Sequence, residues 1–280
     1  MRVLVTGAGG QVGRELVEAL AGNEVVACTR AELDVADRDS VLAAITSTAP
    51  DAVVHSAAWT DVDGCESDVD RAYAVNALGT RHVGEAARIV GARVCYLSTD
   101  YVFDGESSRP YREWDTTSPR SVYGHSKLAG ERELGPEHTI VRTSWVFGEH
   151  GHNIVKTILR LAGEHDTLTF IDDQIGHPTA AGDLASMIVR LVLGRRPGLF
   201  HVTNQGAVSW YEFARSVMEA AGLDADRVHP VSTQDFTPHR PAHRPANSVL
   251  DNAALRLSGI ELLGDYHEPL GRVVKTLTAP

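Results

Sequence analysis

Short apolar segments alternate with longer amphipathic segments through the first half of the chain. The apolar segments have the length of strands, whereas the amphipathic segments carry apolar residues at helical spacing. The predicted strands are residues 3–5, 25–28, 52–55, 93–98 and 139–143, and the predicted helices are residues 11–21, 38–46, 72–90 and 121–134. Strands that are apolar throughout favour a parallel sheet covered on both faces. The pattern therefore predicts an α/β fold, a doubly wound parallel Rossmann sheet with right-handed crossovers.

The pattern becomes less regular after residue 145. Helices are predicted at 153–162, 181–193 and 209–221, strands at 168–171 and 198–202, and a proline-rich polar loop at 231–245. Ser209 followed three residues later by Glu212 matches a capping box. We expect residues 1–145 to form the Rossmann domain, with 167–200 returning to it, and residues 146–166 and 201–280 to form a smaller C-terminal α/β lobe.

A glycine-rich turn follows the first predicted strand. Gly7, Gly10 and Gly13 form a GxxGxxG pattern between this strand and a helix. Glycine permits the backbone angles of a tight turn, and the amide groups at a helix N-terminus attract a pyrophosphate. This position in the chain favours dinucleotide binding over a turn without a ligand.

Arg30 lies just beyond the second predicted strand. An acidic residue here grips the ribose hydroxyls of NAD, whereas an arginine accommodates the 2′-phosphate of NADP. Arg30 therefore favours NADPH over NADH, the alternative being an arginine that points only to solvent. Asp34 and Val35 follow where an adenine pocket is expected.

Tyr123 and Lys127 are four residues apart in a predicted helix and therefore share one of its faces. A phenol ordinarily titrates near ~10, and a nearby cation lowers its pKa. Such a tyrosine can give a proton to a carbonyl oxygen as hydride arrives at the carbon. Thr99 ends the fourth predicted strand, at the sheet edge where ligands bind, and its hydroxyl suits the same carbonyl. Asp100 is expected only to order the loop that follows.

Seven segments together are similar to one enzyme family. They are GAGGQVG at 7–13, HSAAWTDVDGCE at 55–66, STDYVFDG at 98–105, VYGHSKLAGE at 122–131, RTSWVFG at 142–148, DDQIGHPT at 172–179 and HRPANSVLD at 243–251. In this order they resemble the dTDP-4-dehydrorhamnose reductase family of extended short-chain dehydrogenases/reductases. The resemblance implies reduction, with NADPH or NADH, of the 4-keto group of dTDP-4-dehydro-6-deoxy-L-mannose to dTDP-L-rhamnose.

The resemblance also implies roles for individual residues. Thr99, Tyr123 and Lys127 match the catalytic trio. The residues expected to contact the cofactor, with Gly13 and Arg30 added from the patterns above, are Gly7, Gly10, Gln11, Val12, Gly13, Arg30, Asp34, Val35, Ala57, Ala58, Asn76, Ser98, Tyr123 and Lys127. Those expected at the substrate, in a cleft under the smaller lobe, are Thr60, Val62, Asp63, Thr99, Tyr101, Trp145, Asn153 and Arg244.

Four of these residues have an alternative structural interpretation. Trp145 suits a hydrophobic core, Asn76 a backbone-bonding position within a helix and Asn153 a helix N-cap. Arg244 suits either a solvated loop or a sugar-linked diphosphate, which an arginine fork binds well. Glu15 matches one ligand of a magnesium site between subunits in some relatives, but the sequence predicts no metal.

Composition excludes several other classes of function. The 280 residues carry a net charge of −11 without a run of lysines and arginines, which disfavours nucleic-acid binding. The three cysteines form no CxxC pair and are expected to be reduced thiols. No segment has the length of a signal peptide or a membrane span, so we expect a cytoplasmic protein without a membrane partner, either monomer or homodimer.

Two other functions stay open at this stage. One is a related enzyme, a nucleotide-deoxysugar 4-ketoreductase or epimerase acting on another sugar. The other is a non-catalytic, dinucleotide-binding regulatory subunit of methionine adenosyltransferase, a role found among relatives of the same family. The intact Thr99, Tyr123 and Lys127 weigh against the second.

Overall fold

A six-stranded parallel sheet organises the larger part of the molecule, for which we have a computed structural model describing residues 1–279. The described residues form twelve strands, six of which belong to this sheet. The twelve are β1 (Arg2–Thr6), β2 (Glu24–Cys28), β3 (Ala52–His55), β4 (Arg93–Thr99), β5 (Thr139–Thr143), β6 (Val146–Phe147), β7 (Leu168–Ile171), β8 (Ile175–Gly176), β9 (Thr179–Ala180), β10 (Gly198–His201), β11 (Val208–Ser209) and β12 (Val228–Val231). The large sheet has the order β2-β1-β3-β4-β5-β10, and all its pairs are parallel. The strand order reverses between β1 and β3, which confirms the doubly wound prediction and sets the ligand-binding edge at the carboxyl ends of these strands.

Helices cover both faces of this sheet. The helices are α1 (Gln11–Ala19), α2 (Arg38–Thr48), α3 (Val62–Ser67), α4 (Val69–Tyr73), α5 (Gly79–Val90), α6 (Val122–Glu131), α7 (Ile154–Glu164), α8 (Ala181–Leu193), α9 (Trp210–Ala220), α10 (Ala253–Leu257) and α11 (His267–Thr278). α1 and α8 pack together over one face, and α2 and α5 over the other. Leu16 and Leu184 are completely buried in the first layer, and Ile45 and Val83 in the second. The apolar strands are buried for this reason.

The single helix predicted at 72–90 is interrupted. α4 ends at Tyr73, a π-helical turn covers Ala74–Leu78, and α5 begins at Gly79. The turn carries Asn76, whose side chain bonds to the backbone of Trp59 rather than to solvent. A wider turn of this kind is common at functional sites, and hydrophobic spacing does not reveal it.

The smaller lobe has its own core, formed by α7, α9 and α11 against the parallel pair β7 and β12. The structure divides the range 167–200 between the two regions. Leu168 of β7 is buried in the smaller core, whereas α8 packs on α1 and β10 extends the large sheet beside β5. β7 does not join the large sheet, because it pairs with β12 instead. The capping box at Ser209 is confirmed at the start of α9.

Candidate active site

The glycine turn between β1 and α1 has the geometry that the sequence predicts. Gly7 has φ +69°, and the backbone amide of Gly10 donates to the Gly7 carbonyl at 2.9 Å. A Cβ atom on Gly7 would lie 2.8 Å from the Cα of Ala57, and one on Gly13 would clash with the Gly7 carbonyl. Only glycine lets the first turn of α1 approach the strand ends this closely, which leaves a cradle of backbone amides for a pyrophosphate.

A cavity of about 460 Å³ opens beside this turn. Its lining includes seven residues predicted for the cofactor, Gly7, Gly10, Arg30, Asp34, Val35, Ala57 and Ala58. It also includes Trp59 and Arg71, which the sequence did not indicate; the Arg71 guanidinium lies 4.4 Å from the centre of the Trp59 ring. α4 brings Arg71 over the cavity, so no local motif marks it. The cradle and the mostly apolar cavity together fit a dinucleotide.

Gln11 and Val12, at the start of α1, contact other parts of the chain with their side chains. Val12 packs into the large core, so only its backbone faces the cradle. The Gln11 amide nitrogen donates to the carbonyl of Val146 at 3.0 Å, and its buried Oε1 has no partner within residues 1–279. The cofactor contacts predicted for these two residues stay predictions.

Tyr123 and Lys127 are buried on one face of α6, at the carboxyl edge of the sheet. The Ser121 hydroxyl and the Glu66 carboxylate accept the backbone amides of Gly124 and Val122 and so fix the start of this helix. The four-residue spacing therefore brings the phenol and the ammonium onto a common, well-anchored surface.

Burial, rather than an ion pair, has the largest effect on the pKa of Lys127. Its Nζ donates to the Leu97 carbonyl at 2.6 Å and lies 4.1 Å from the centre of the Tyr96 ring. Burial lowers the pKa of Lys127 to about 7, and the Glu131 carboxylate acts against this shift. Burial therefore disfavours the charged form of this lysine.

The expected effect of Lys127 on Tyr123 is not present in this structure. Burial raises the pKa of the Tyr123 phenol, and hydrogen bonding to the Thr99 side chain is what opposes the rise. The reason is that the Lys127 ammonium points to the Leu97 carbonyl. The phenol therefore holds its proton, which suits a proton donor.

The end of β4 brings Thr99 beside Tyr123. Thr99 is buried, and its Oγ1 lies 2.9 Å from Oδ1 of Asp100. Ser98 faces the opposite way, because its hydroxyl donates to Glu131 at 2.6 Å inside the protein. Thr99 thus ends β4 at the carboxyl edge of the sheet, whereas the Ser98 side chain is bonded to Glu131, and the nicotinamide contact predicted for Ser98 stays a prediction.

Asn76 takes the structural alternative. It is completely buried, its Oδ1 accepts from the Trp59 amide at 2.8 Å, and its Nδ2 donates to the Trp59 carbonyl and to the Ser126 hydroxyl. These bonds use both amide hydrogens and give Asn76 a positioning role, while the dinucleotide contact predicted for it stays a prediction. Asn76 fixes Trp59, which lines the cavity.

Three residues predicted at the substrate, Asp63, Tyr101 and Arg244, lie near one another, and Tyr101 packs on Tyr123. The Arg244 guanidinium binds the Asp63 carboxylate with distances of 2.7 and 3.0 Å. Arg244 lowers the pKa of Asp63 through these hydrogen bonds. The Tyr101 ring packs edge-on against Tyr123, with 5.5 Å between ring centres. Arg244 is therefore partly buried in an ion pair and not a solvated loop residue.

Thr60 and Val62 flank the start of α3, which Asp61 caps through the Gly64 amide. Thr60 is exposed and Val62 is half-buried. They lie on the segment that leads from β3 to Asp63, so the chain brings them to the same side of the molecule as the Arg244 ion pair.

Trp145 and Asn153 lie at the junction with the smaller lobe. Trp145 is half-buried, has a strained φ of +47°, and stacks on Trp210 with 3.5 Å between ring centres. Such strain in a bulky residue is common at ligand sites. Asn153 is the N-cap of α7, as the structural alternative proposed, and donates to the Gly148 carbonyl at 2.8 Å. Trp210, on α9, was not indicated by the sequence.

Two negative findings apply to the described residues. No group of three or more histidine, cysteine, aspartate or glutamate side chains within 1–279 has the arrangement of a metal site. No helix in the same range is long and apolar enough to cross a membrane.

Comparison with known proteins decides the family. A family model described as the RmlD substrate binding domain matches residues 1–279. The chain belongs to the RmlD family. Its fold, glycine cradle and Tyr123–Lys127 face are therefore to be interpreted as those of an RmlD-family oxidoreductase.

Individual RmlD-family relatives align over almost the whole chain. The spore coat polysaccharide biosynthesis protein SpsK of Bacillus subtilis is 44% identical, covering 92% of this chain and 92% of the relative. A dTDP-4-keto-6-deoxy-D-glucose reductase of Streptomyces niveus is 41% identical, and the alignment covers 99% of this chain and 98% of the relative. One solved structure is that of the dTDP-4-dehydrorhamnose reductase of Bacillus anthracis in complex with NADP. It superimposes with a TM-score of 0.93 at 39% identity, and the superposition covers 97% of this chain and 98% of the relative.

Proposed function

We propose that this protein reduces the 4-keto group of dTDP-4-dehydro-6-deoxy-L-mannose to give dTDP-L-rhamnose, with NADPH as the preferred cofactor. The observation that carries the proposal is the meeting of Thr99, Tyr123 and Lys127 at the carboxyl edge of the sheet, the same edge that carries the glycine cradle. Family membership and the NADP-bound relative support the same chemistry.

Three residues of this chain would have separate roles in the reaction. When bound, the dinucleotide supplies a hydride. The Tyr123 phenol gives its proton to the sugar oxygen, which its raised pKa permits because the proton is held until negative charge develops there. The Thr99 hydroxyl would align the carbonyl, and Lys127, buried on the same face of α6, would add electrostatic stabilisation in its charged form.

Substrate binding would fall to the cleft beside Tyr123. Tyr101 and Trp145 present aromatic surfaces to a deoxysugar, and Arg244 is suited to a diphosphate because its planar guanidinium makes paired hydrogen bonds. Arg30 lines the cavity and is exposed, which supports a preference for the 2′-phosphate of NADPH. We also propose that the two sequence-defined regions, cofactor-binding and substrate-binding, correspond to these two sides of the cleft.

The test is oxidation of NADPH, and separately of NADH, in the presence of dTDP-4-dehydro-6-deoxy-L-mannose. The wild-type protein should oxidise NADPH with the higher kcat/KM and form dTDP-L-rhamnose. Tyr123→Phe should lower kcat by about 10²–10⁴-fold, because the proton donor is lost, while the Kd for NADPH stays within about twofold. A loss of less than tenfold in kcat would contradict the assigned role of Tyr123.

A second candidate substrate is dTDP-4-keto-6-deoxy-D-glucose. It is favoured by the name of the Streptomyces niveus relative, which shares 41% of its residues with this chain over nearly its full length. The two sugars differ in configuration but present the same ketone to Tyr123. The same assay with both sugars, followed by analysis of the product sugar, distinguishes the two functions.

A further inference from the structure

Arg71, on α4, brings an unpaired positive charge to the cavity beside the glycine turn. It lines that cavity, and its guanidinium forms no ion pair or hydrogen bond with any residue in the described range 1–279. The side chain is exposed, and the guanidinium lies over the Trp59 ring, 4.4 Å from the ring centre. A guanidinium has five N–H donors. All five are therefore available to a ligand in the cavity.

The acidic side chains closest to this position make their hydrogen bonds elsewhere. Asp68 caps α4 and accepts the backbone amide of Arg71 at 3.1 Å. Within residues 1–279 the cavity lining holds one carboxylate, that of Asp34, which accepts the Ala36 amide at 3.0 Å. The lining holds two arginines, Arg30 and Arg71, so it is locally positive although the whole chain has a net charge of −11. A positive cleft of this kind attracts an anion.

The aromatic ring under Arg71 belongs to a residue with a fixed backbone. The completely buried Asn76 side chain accepts the Trp59 amide at 2.8 Å and donates to the Trp59 carbonyl at 3.2 Å. A guanidinium over an indole face is held by a cation–π interaction, for which tryptophan is the best ring. Because the contact uses the face of the guanidinium, its N–H edges stay free for paired hydrogen bonds. Trp59 therefore holds Arg71 ready for a planar, bidentate anion.

The strand order places the two arginines on opposite sides of the glycine turn. β1, which leads to Gly7, lies between β2 and β3. Arg30 follows β2, whereas Arg71 lies over Trp59, which follows β3. The segment after β3 touches the glycine turn, since a Cβ atom on Gly7 would lie 2.8 Å from the Cα of Ala57. A dinucleotide with its 2′-phosphate at Arg30 therefore brings its pyrophosphate, not its 2′-phosphate, to the side of Arg71.

We propose that Arg71 is a cofactor-binding residue whose guanidinium, held over the Trp59 ring, binds the pyrophosphate of the dinucleotide. This inference rests on the proposed function, because it takes NADPH as the cofactor. It gives the two arginines of the cavity separate tasks. Arg30 selects the 2′-phosphate, which only NADP carries, and Arg71 binds the pyrophosphate that NADP and NAD share.

The test is the binding of NADP⁺, NAD⁺ and adenosine 2′-monophosphate by isothermal titration calorimetry, without a sugar present. Arg71→Ala should raise the Kd for NADP⁺ and for NAD⁺ by about tenfold, because both lose charge-assisted hydrogen bonds to the pyrophosphate. The Kd for adenosine 2′-monophosphate, which has no pyrophosphate, should stay unchanged. Arg71→Lys should have a smaller effect, because an ammonium keeps the charge without the paired hydrogen bonds. A Kd raised for NADP⁺ alone, or for neither dinucleotide, would overturn the proposal.

Arg196→Ala is the matched control. Arg196 is also exposed and forms no ion pair within the described residues, but it precedes the amino end of β10 and so lies at the opposite edge of the parallel sheet. The variant removes the same charge, and its Kd for NADP⁺ should equal that of the wild-type protein. Equal rises in Kd for Arg196→Ala and Arg71→Ala would show an effect of net charge alone and would contradict a contact with the pyrophosphate.

A double-mutant cycle tests the part played by Trp59. Trp59→Leu removes the ring under the guanidinium, so Arg71→Ala should raise the Kd for NADP⁺ less in the Trp59→Leu background than in the wild-type background. Equal effects in both backgrounds would show that Trp59 does not hold Arg71 for the ligand. The comparison of Arg71 variants stands without this cycle, because Arg71 is exposed and its replacement leaves the core intact.

The outcomes separate this inference from the proposed function, because binding is measured without turnover. A protein that binds NADP⁺ with the expected dependence on Arg71 but reduces neither 4-keto sugar would refute the proposed function and support the Arg71 contact. A protein that reduces the sugar with NADPH, while Arg71→Ala binds both dinucleotides as tightly as the wild type does, would refute the Arg71 contact alone.

Discussion

Glu131 and Arg142 form an ion pair that is almost completely buried, one helical turn beyond Lys127. The two Glu131 oxygens accept from Arg142 at 2.8 and 2.6 Å, and Ser98 donates to the same carboxylate. Glu131 also acts to raise the pKa of Lys127 against the effect of burial. The pair therefore anchors the back of the candidate active site and favours a charged lysine. No local pattern indicates this role of Glu131, because its partner lies on β5, 11 residues away.

We expect Glu131→Gln to destabilise the fold, because it leaves the Arg142 guanidinium buried without a counter-charge. The free energy of unfolding, measured by urea denaturation, should fall by about 3–5 kcal/mol. The control is Glu133→Gln, whose partner Arg81 is more than half exposed, and it should change stability by about 0–1 kcal/mol. Equal changes in the two variants would show that the buried pair is not special.

At the scale of elements, a helix start is predictable from sequence only where its cap is local. The capping box of α9 depends on two residues three positions apart, Ser209 and Glu212, so it is visible locally. The start of α6 uses Glu66, which is 56 residues away from the amide that it accepts. The π-helical turn at Ala74–Leu78 likewise depends on the distant Trp59 backbone.

The cap of α9 gives an element-scale prediction. Ser209→Ala removes the hydroxyl that accepts the Glu212 amide at 3.1 Å and donates to Asp172 at 2.6 Å. The unfolding free energy should fall by about 1–2 kcal/mol, measured by thermal or urea denaturation. Ser186→Ala is a suitable control, because the exposed Ser186 hydroxyl bonds only within α8. A larger loss in the control would contradict the importance of the cap.

At the scale of the whole molecule, the Asp63–Arg244 pair joins two distant parts of the chain across the candidate substrate cleft. Asp63 follows β3 of the large sheet, and Arg244 belongs to the proline-rich segment after β12. The Asp63 carboxylate also accepts the Ala242 amide at 3.1 Å, so it holds the segment at two points. The Asp63 carboxylate therefore holds the end of the segment that contains Ala242 and Arg244, while Asp173 holds its beginning through Thr233.

We expect Asp63→Asn to loosen the segment at 232–245 without unfolding the protein. Loss of the charge-assisted hydrogen bonds should lower the local opening free energy by about 1.5–3 kcal/mol. Hydrogen exchange of the amides in this segment, followed by mass spectrometry, should become at least several-fold faster. Asp226→Asn, at an exposed ion pair with Arg215, provides the control. Unchanged exchange at 232–245 would show that other contacts hold the segment.

The sequence by itself determined the Rossmann sheet, the glycine cradle and the Tyr123–Lys127 face. Each depends on residues that are neighbours in the chain: apolar runs of strand length, glycines at three-residue spacing, and two side chains one helical turn apart. Tertiary structure decided the pKa values of Lys127, Tyr123 and Asp100, because burial sets them. It also decided that Asn76 holds Trp59 and that Arg71 reaches the cavity. These properties depend on which distant segments exclude water from a group or supply its hydrogen bonds, and local patterns contain no record of that.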